Sequence, residues 1–389
     1  MHLARPLRIA ALSLREELRS VATSPSSLLV IIGGVILYGL LYNLLYRPNI
    51  VRDSPVVVVD NAANHLSRDY IRKLNSTQQV EVRNVVSDFL AARHELISGS
   101  VEAIIYLPQD MAQRIGRGEQ AIFVTLASTA QLLNYEAVAK ATLQSMLALD
   151  REIEADLEWK LPPELVADFT NRGPINPIGN ALYNPTEGYA DYLLPPVLIL
   201  ILFQTMVMVI SMQQGARRGR GQTLLRGLRP NYCSCAFEIL GRVSFYAATY
   251  SLLSLFLLAL LPRIFDLPHT SNIITTTSYL FPFLIATALF GECFGRFFAD
   301  SDSPLLFITF FSVGLLFLSG ISFPSEQMPA VWRNIAEIFP STAAIRAHIA
   351  TSSMGAEVEH ISSEIATLWY NAAGYFIVAT ATCKWRQQR

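Results

Sequence analysis

The sequence is poor in charged residues, which occupy 16% of its 389 positions. Soluble globular domains carry about 25%. Hydrophobic residues make up 52% of the chain, and the formal net charge is −1. This composition is atypical of a soluble domain. The net charge is close to zero, so it does not indicate a nucleic-acid partner.

Cysteine is also scarce. The four cysteines all lie in or beside apolar segments, and none falls in the long polar region 47–190. A disulfide framework therefore cannot hold that region. Cys233 and Cys235 form a C-x-C pair, but a structural zinc site needs four ligands and no histidine is near, so we expect no metal site.

Motifs typical of nucleotide-binding and catalytic sites are missing as well. The chain has no G-x-x-x-x-G-K-[S/T] stretch, so it lacks the usual loop that cradles ATP phosphates. Its six histidines are scattered, and no Ser/His/Asp or paired-carboxylate arrangement stands out. We therefore expect no catalytic residue, no cofactor in this chain, and no ATP hydrolysis by it.

Long apolar runs are the dominant feature. A helix of roughly 20 apolar residues crosses a hydrocarbon core. No small-x-small cleavage site follows the first run, so we interpret it as an uncleaved anchor, not as a signal peptide. The predicted spans are 28–46, 192–212, 237–261, 273–298, 304–320 and 363–383.

Residues 1–27 predict an amphipathic helix on the inner membrane surface. Leu7, Ala11, Leu14 and Leu18 recur at helical spacing among four arginines. With the amino terminus inside, the inner segments hold twelve Lys and Arg residues and the short outer loops hold three. The positive-inside rule then places both termini in the cytoplasm and region 47–190 outside.

Region 47–190 predicts a separate α/β domain. Strand-like runs at 55–60, 80–86, 101–107 and 121–126 alternate with helical segments. Such alternation favours a largely parallel sheet. Ser87 is the predicted cap of the helix that runs to Ile97, and one long helix is predicted from Gln131 to Lys160.

The segment after the fifth predicted span is broken by prolines. Pro324, Pro329 and Pro340 each remove a backbone donor and disfavour helix in the residue before them. A short amphipathic helix with Val331 and Trp332 on one side lies between them. Region 321–349 is thus either a re-entrant hairpin or an ordinary loop with an interfacial helix.

These residues carry a family resemblance. Leu318-Ser-Gly-Ile-Ser-Phe-Pro-Ser-Glu-Gln-Met-Pro329, followed by Phe339-Pro-Ser-Thr342, resembles the hairpin before the last span in permease subunits of ABC-2 type exporters. Val58-Val-Asp-Asn61, the run 99–105 and Leu107-Pro108 resemble the subgroup with a large external domain. The resemblance implies six transmembrane helices, with an extracytoplasmic α/β domain between the first two and a re-entrant hairpin before the last. The gate residues it implies are Ser319, Gly320, Phe323, Pro324, Met328, Pro329 and Pro340.

The resemblance also implies a coupling helix in the inner loop 213–235, which would dock on an ATPase subunit. The family usually has an acidic residue before the glycine, where this chain has Arg220. The alternative explanation is that the arginines of this loop only follow the positive-inside rule and have no docking role. The implied coupling residues are Arg217, Arg218, Arg220, Thr223, Leu224 and Leu225.

Ionisable and polar side chains inside the spans complete the candidates. Glu238 with Arg242, and Glu292 with Arg296, are four apart and predict ion pairs on one helix face. Structural pairs are favoured over a proton or substrate relay. Gln204, Met208 and Phe311 are candidate pathway residues, although generic packing explains them equally well.

Together, these features and the resemblance predict a permease subunit with domain limits 1–27, 28–46, 47–190 and 191–389. It would export an amphipathic or hydrophobic substrate across the bacterial inner membrane. The implied partners are an ABC ATPase that binds ATP and Mg, a second permease copy or close paralogue, and a periplasmic adaptor. The alternative is a membrane-anchored scaffold or receptor whose external domain binds a partner.

Overall fold

The computed structural model describes residues 4–117, 119–129, 131–160, 184, 188–219, 231–265, 267 and 272–387. It divides into two compact units, one formed by Met1–Asn49 with Ala181–Arg389 and the other by Ile50–Asn180. The first unit is helical, and the second contains a sheet.

The helices and strands are numbered in chain order. In the first unit, the helices Pro25–Leu45 and Tyr232–Ile264 each contain a π-helical turn. The elements are α1 (Ala4–Ala22), α2 (Pro25–Leu45), β1 (Ser54–Asp60), α3 (His65–Asn75), β2 (Val80–Val86), α4 (Phe89–Ile97), β3 (Ala103–Leu107), α5 (Met111–Gly116), β4 (Val124–Ala127), α6 (Leu132–Lys160), α7 (Tyr189–Gly219), α8 (Tyr232–Ile264), α9 (Ile273–Phe297), α10 (Ser303–Leu318), α11 (Ala330–Ala336), α12 (Pro340–Ser352) and α13 (Ser362–Gln387).

Within the described residues, four helices are long and apolar enough to cross a membrane: α2, α7, α8 and α9. Helix α10 is apolar but has 16 residues, because it ends at Leu318 before Gly320 turns the chain with a φ of +84°. Helix α13 is 26 residues long, but it contains too many polar residues to count among the helices that are apolar enough to cross a membrane. The structure therefore supports a multi-pass helical membrane protein, and the count of six spans stays a prediction.

Helix α7 forms the centre of the helical unit. Nearly every side chain from Leu194 to Gly215 is buried, and α9, α10 and α12 pack against it. Its apolar residues join those of α8, α9 and α12 in one hydrophobic core. A helix that is apolar on all sides is expected at such a central position.

Helix α1 has two different faces. Its leucines, among them Leu7 and Leu18, are exposed, as expected for a helix that lies on a membrane surface. The opposite face is buried and packs on α8. It carries a stripe at four-residue spacing, made of Ile9, Ser13, Glu17 and Val21.

The second unit is built on a four-stranded sheet of order β2-β1-β3-β4. The strand β1 pairs in parallel with β2 and β3, whereas β4 is antiparallel to β3. Alternate side chains of β1 point to opposite faces, and each face has its own apolar cluster. Helices α3 and α6 contribute to one cluster and α4 to the other.

Three sequence predictions in this unit differ from the structure. The third strand was expected at 101–107 but forms at Ala103–Leu107, and the fourth was expected at 121–126 but forms at Val124–Ala127. The cap of α4 is Asp88, not Ser87, because the Asp88 carboxylate accepts the Leu90 N–H at 3.0 Å. A carboxylate at this position satisfies a free amide at the helix start and also suits the helix dipole.

Candidate functional site

A cluster of buried charged and polar side chains lies where α1, α7, α8 and α9 come together. It begins with Glu17 of α1, whose side chain is fully buried. Arg217, near the end of α7, binds this carboxylate with two nitrogens at 2.5 and 3.0 Å. The Tyr246 hydroxyl of α8 donates to the same carboxylate at 2.5 Å. One carboxylate thus ties three helices together.

The second part of the cluster centres on Arg242 of α8. Its guanidinium pairs with Glu238 one turn earlier and with Glu292 of α9, the latter at 3.4 Å. Glu238 and Arg242 therefore form the i,i+4 ion pair that the sequence predicts. The predicted pair of Glu292 with Arg296 does not form. Arg296 instead donates to the backbone carbonyl of Glu292 at 3.1 Å and to the Thr382 hydroxyl of α13.

Two consecutive glutamines of α7 connect these parts. The Gln213 amide accepts from Ser20 at 2.7 Å and donates to Ser27 at 2.8 Å, so it links α7 to the last turn of α1 and the first turn of α2. The Gln214 amide donates to the Glu292 backbone carbonyl at 3.0 Å and to its carboxylate at 2.5 Å. Neighbouring residues of one helix therefore hold opposite sides of the cluster. We refer to the whole set as the inner polar cluster: Glu17, Gln213, Gln214, Arg217, Glu238, Arg242, Tyr246 and Glu292.

The inner polar cluster is incompletely satisfied. It contains three buried carboxylates against two guanidinium groups, and one oxygen each of Glu238 and Glu292 has no hydrogen-bond partner among the described residues. Buried charges are strongly destabilising when a partner is removed.

Close packing brings α1 against α8. A Cβ atom at Gly241 would lie 2.2 Å from the Ala10 carbonyl oxygen, so only glycine fits there. The Ser13 hydroxyl donates to the Glu238 carbonyl at 2.8 Å across the same contact. The position of α1, and with it of Glu17, is therefore fixed by backbone contact.

The end of α7 also contacts the segment that joins α9 to α10. The Arg218 guanidinium donates to the carbonyls of Arg296 and Phe298 at 3.3 and 3.2 Å. Asp300 in that segment accepts the backbone and hydroxyl donors of Ser303, each at 2.8 Å. These hydrogen bonds hold the pKa of the Asp300 carboxyl below its ordinary value.

Of the predicted coupling residues, Arg217 and Arg218 lie in this contact region at the end of α7. Arg217 is part of the inner polar cluster, and Arg218 binds the segment before α10. The other four lie outside the described residues: Arg220, Thr223, Leu224 and Leu225.

The predicted external gate residues lie between the end of α10 and the first turn of α12. Ser319 ends α10, Pro324 and Pro329 precede short helical turns, and Pro340 occupies the first turn of α12. The Tyr192 hydroxyl of α7 donates to the Ile321 carbonyl. The remaining predicted gate residues, Gly320, Phe323 and Met328, lie in the same segment.

The segment between α10 and α12 is held by a bidentate ion pair. Arg346 of α12 binds the Glu337 carboxylate at 2.7 and 3.0 Å, and Asn371 of α13 donates to the Glu337 carbonyl at 3.1 Å. Bidentate arginine–carboxylate pairs fix orientation as well as distance. The turns between α10 and α12 are thus anchored to α12 and α13.

The predicted pathway residues lie on two helices in contact. The Gln204 amide of α7 donates to the Ser312 carbonyl of α10 at 3.5 Å. Phe311 of α10 is partly exposed and stacks on Phe307 with ring centroids 4.3 Å apart. Met208 packs against the main core. Gln204 is therefore held against the backbone of α10, whereas Met208 belongs to the packing of α7.

Sequence reasoning missed Glu17, Gln213, Gln214 and Tyr246. The signal for Glu17 was its place on a four-residue spacing with Ile9, Ser13 and Val21, opposite the leucine face. Two adjacent glutamines at the end of an apolar span were a second signal. Among the described residues, no group of three or more potential ligands could hold a metal ion.

The sequence matches a known protein family. The model of the ABC-2 family transporter proteins matches residues 25–381, which is nearly the whole chain. No curated protein matches significantly. Membership implies an ABC ATPase as partner. With its apolar helices and this match, the chain belongs to the ABC-2 family of transporter proteins, as a membrane-spanning permease subunit.

Proposed function

We propose that this permease couples ATP hydrolysis by a partner ATPase to substrate export through the inner polar cluster. The observation that carries the proposal is the three-helix link of Arg217, Glu17 and Tyr246. Arg217 lies in the last turn of α7, which extends to Gly219 and so includes the first residues of the predicted coupling loop 213–235. A displacement of that loop by the ATPase would therefore act on the buried ion pair of Arg217 and Glu17.

The cluster converts a local displacement into a movement of several helices. Separating Arg217 from Glu17 would leave buried charges without partners, which costs several kcal/mol. Moving the ion pair as a unit avoids that cost. Gln214 and Arg242 extend the same constraint to Glu292 of α9. A shift of α7 would then carry α1, α8 and α9 with it.

The substrate we propose is amphipathic or hydrophobic. The support is the aromatic side of α10, where Phe310 is largely exposed and Phe307 and Phe311 are partly exposed. Gln204 supplies an amide that contacts the backbone of the same helix at Ser312. The substrate would leave outward past the hairpin anchored by Glu337 and Arg346.

The proposed setting is the bacterial inner membrane with both termini cytoplasmic. Two permease copies, or this chain and a close paralogue, would pair above two ATPase subunits that bind ATP and Mg. The excess of Lys and Arg in the inner segments supports the orientation. A periplasmic adaptor would bind on the external side.

The test replaces Leu224 and Leu225 together by aspartate in the full chain coexpressed with its ATPase. Burying unpaired charges in a docking cleft costs several kcal/mol, and about 1.4 kcal/mol already weakens association tenfold. We expect the variant to insert into the membrane but to lose co-purification of the ATPase.

The matched control places two aspartates on the other unit, at Leu90 and Ile97, which are both exposed. It should retain the ATPase. Full retention of the ATPase and of export by the Leu224→Asp/Leu225→Asp variant would contradict the proposal and favour the scaffold or receptor.

A further inference from the structure

Helix α1 carries a line of arginines beside a line of leucines. In three places a leucine is followed directly by an arginine, and all six side chains are exposed: Leu7 by Arg8, Leu14 by Arg15, and Leu18 by Arg19. Residues separated by seven or four positions return to the same side of an α-helix, and consecutive residues lie about 100° apart. The leucine line and the arginine line therefore run next to each other along α1, over about 16 Å of its axis.

The arginine line has no counter-charge within the described residues. None of its three guanidinium groups forms an ion pair or a hydrogen bond there. Glu16, the neighbouring carboxylate on α1, is partly buried and also forms no ion pair in that part of the chain. Three exposed positive charges on one side of a helix repel one another and attract anions, so an anionic ligand would stabilise this arrangement.

The position of the arginine line is fixed by the opposite face of α1. That face is buried, and its Ser13 hydroxyl donates to the Glu238 carbonyl of α8. Glu17 binds Arg217 of α7 on the same side. The close approach of the two backbones at Gly241 leaves no room for α1 to move towards α8. A ligand of the arginine line therefore meets a preformed surface, and its binding does not include the cost of ordering the helix.

Side chains typical of the membrane–water interface lie near the amino-terminal part of α1. Ile9 of α1 and Cys235 of α8 share a small buried cluster, against which Cys383 of α13 packs. In the first turn of α8, Tyr232 is exposed, and the Lys384 ammonium lies 3.6 Å from the centroid of its ring. Tyrosine is enriched at the level of the lipid head groups, and lysine extends its charge to the same level.

We propose that α1 binds anionic phospholipids of the phosphatidylglycerol type. The arginine line would bind the phosphate groups, and the leucine line would lie on the acyl chains beside them. In phosphatidylcholine an ammonium group cancels the charge of each phosphate, so charge complementarity favours the anionic lipid. This binding does not depend on the coupling proposed for the inner polar cluster.

An acidic surface of the ATPase is the other kind of partner that three arginines would suit. The leucine line favours the lipid, because a membrane leaflet offers phosphates and apolar chains side by side along the whole length of the helix.

The test titrates phosphatidylglycerol and phosphatidylcholine with identical acyl chains onto the full chain in detergent, and native mass spectrometry counts the bound lipids. Each arginine at an anionic lipid surface contributes about fivefold in affinity, so we expect phosphatidylglycerol to bind about a hundredfold more tightly at low salt. Salt should reduce this preference, because it screens exposed charges. Free glycerol phosphate has no acyl chains and should not compete. Effective competition by it would overturn the assignment to a lipid.

Two variants and a matched control make the test specific. The variant Arg8→Gln/Arg15→Gln/Arg19→Gln changes only exposed side chains, so it should fold and lose the preference for phosphatidylglycerol. Lysine at the same three positions keeps the charge and should keep most of the preference. The control removes three exposed arginines of the sheet-containing unit that form no ion pair within the described residues: Arg52→Gln/Arg68→Gln/Arg93→Gln. It should bind both lipids as the wild-type chain does.

Three results would overturn the proposal: no preference in the wild-type chain, a wild-type preference in the glutamine variant of α1, or an equal loss in the control. Loss of ATPase co-purification by the glutamine variant, with its lipid preference unchanged, would also overturn it and assign the arginine line to the ATPase.

Discussion

Arg217 binds Glu17, a residue 200 positions earlier in the chain, with both terminal nitrogens of its guanidinium. The pair joins α1, whose opposite face exposes leucines, to the end of α7, which leads into the predicted coupling loop. Its carboxylate is fully buried and its guanidinium is nearly so. Surface ion pairs contribute little, but a buried bidentate pair holds two elements in one relative position.

The first prediction concerns the stability that depends on Glu17. Glu17→Gln keeps the size of the side chain but leaves Arg217 buried without its counter-charge. We expect the free energy of unfolding to fall by about 3 kcal/mol, the lower part of the range for a broken buried pair, because Arg217 keeps some contact with water. Unfolding of the purified chain in mixed micelles measures this.

The neighbouring Glu16→Gln is the control for this substitution. Glu16 is only partly buried and forms no ion pair within the described residues. Its loss should change stability by less than about 0.5 kcal/mol, as for surface substitutions in general. An equal loss of unfolding free energy in the two variants would show that the Glu17–Arg217 pair does not stabilise the fold.

The second prediction concerns the contact between α1 and α8. Gly241→Ala places a methyl group 2.2 Å from the Ala10 carbonyl oxygen, which belongs to the backbone and cannot rotate away. We expect a loss of about 2 kcal/mol from overpacking and a displaced α1. Protection of α1 from proteolysis in membranes would report the displacement.

Gly314 in α10 offers the matched control, since a Cβ there meets no atom within 4 Å. Gly314→Ala should leave α1 protected and raise stability by about 0.5–1 kcal/mol through helix propensity. If Gly241→Ala left both protection and stability unchanged, the close approach of α1 and α8 would be wrong.

The third prediction concerns alkaline pH in the sheet-containing unit. Burial raises the pKa of the Tyr70 phenol well above its ordinary value of 10.0, and the nearby Thr142 hydroxyl opposes this. Above pH 10 the unfolded phenol loses its proton while the folded one keeps it, so stability contributed below pH 10 is lost as the pH rises. Tyr70→Phe should reduce this alkaline loss in pulse proteolysis of the full chain.

Tyr135→Phe controls for tyrosine removal, because Tyr135 is exposed and lies outside this core. It should retain the full alkaline loss. The same alkaline loss in Tyr70→Phe and wild type would refute the assignment to Tyr70.

The fourth prediction concerns orientation. Cys233 is exposed in the structure, so an impermeant thiol reagent should label it only from the side on which it lies. A cysteine introduced at Gln131 should react in intact cells, and Cys233 should react only after the inner membrane is permeabilised. Labelling of Cys233 in intact cells would reverse the predicted topology.

Periodicity predicted the local elements well. The alternating run at Val80–Val86 and the continuous apolar run at Ser54–Asp60 form adjacent strands. Spacing also predicted the Glu238–Arg242 pair, because i,i+4 residues meet on any helix. These features depend on short-range geometry that the sequence determines directly.

Long-range pairing could not be predicted in this way. Glu292 was expected to pair with Arg296, but Arg242 of another helix takes that role, because helix packing decides which guanidinium reaches the carboxylate. The buried face of α1 was missed for a similar reason. Ser13 and Glu17 look solvent-facing in sequence, and only the polar groups of α7 and α8 make their burial favourable.

The most direct test of coupling through the inner polar cluster is the ratio of substrate transported to ATP hydrolysed in proteoliposomes. The variant is Glu17→Gln/Arg217→Gln, which breaks the ionic link without leaving an unpaired buried charge. We expect it to fold, to retain its ATPase and to hydrolyse ATP, with the transport ratio reduced about tenfold, a change of about 1.4 kcal/mol in coupling. Glu16→Gln should keep the wild-type ratio. A wild-type ratio in the double variant would contradict coupling through Arg217 and Glu17.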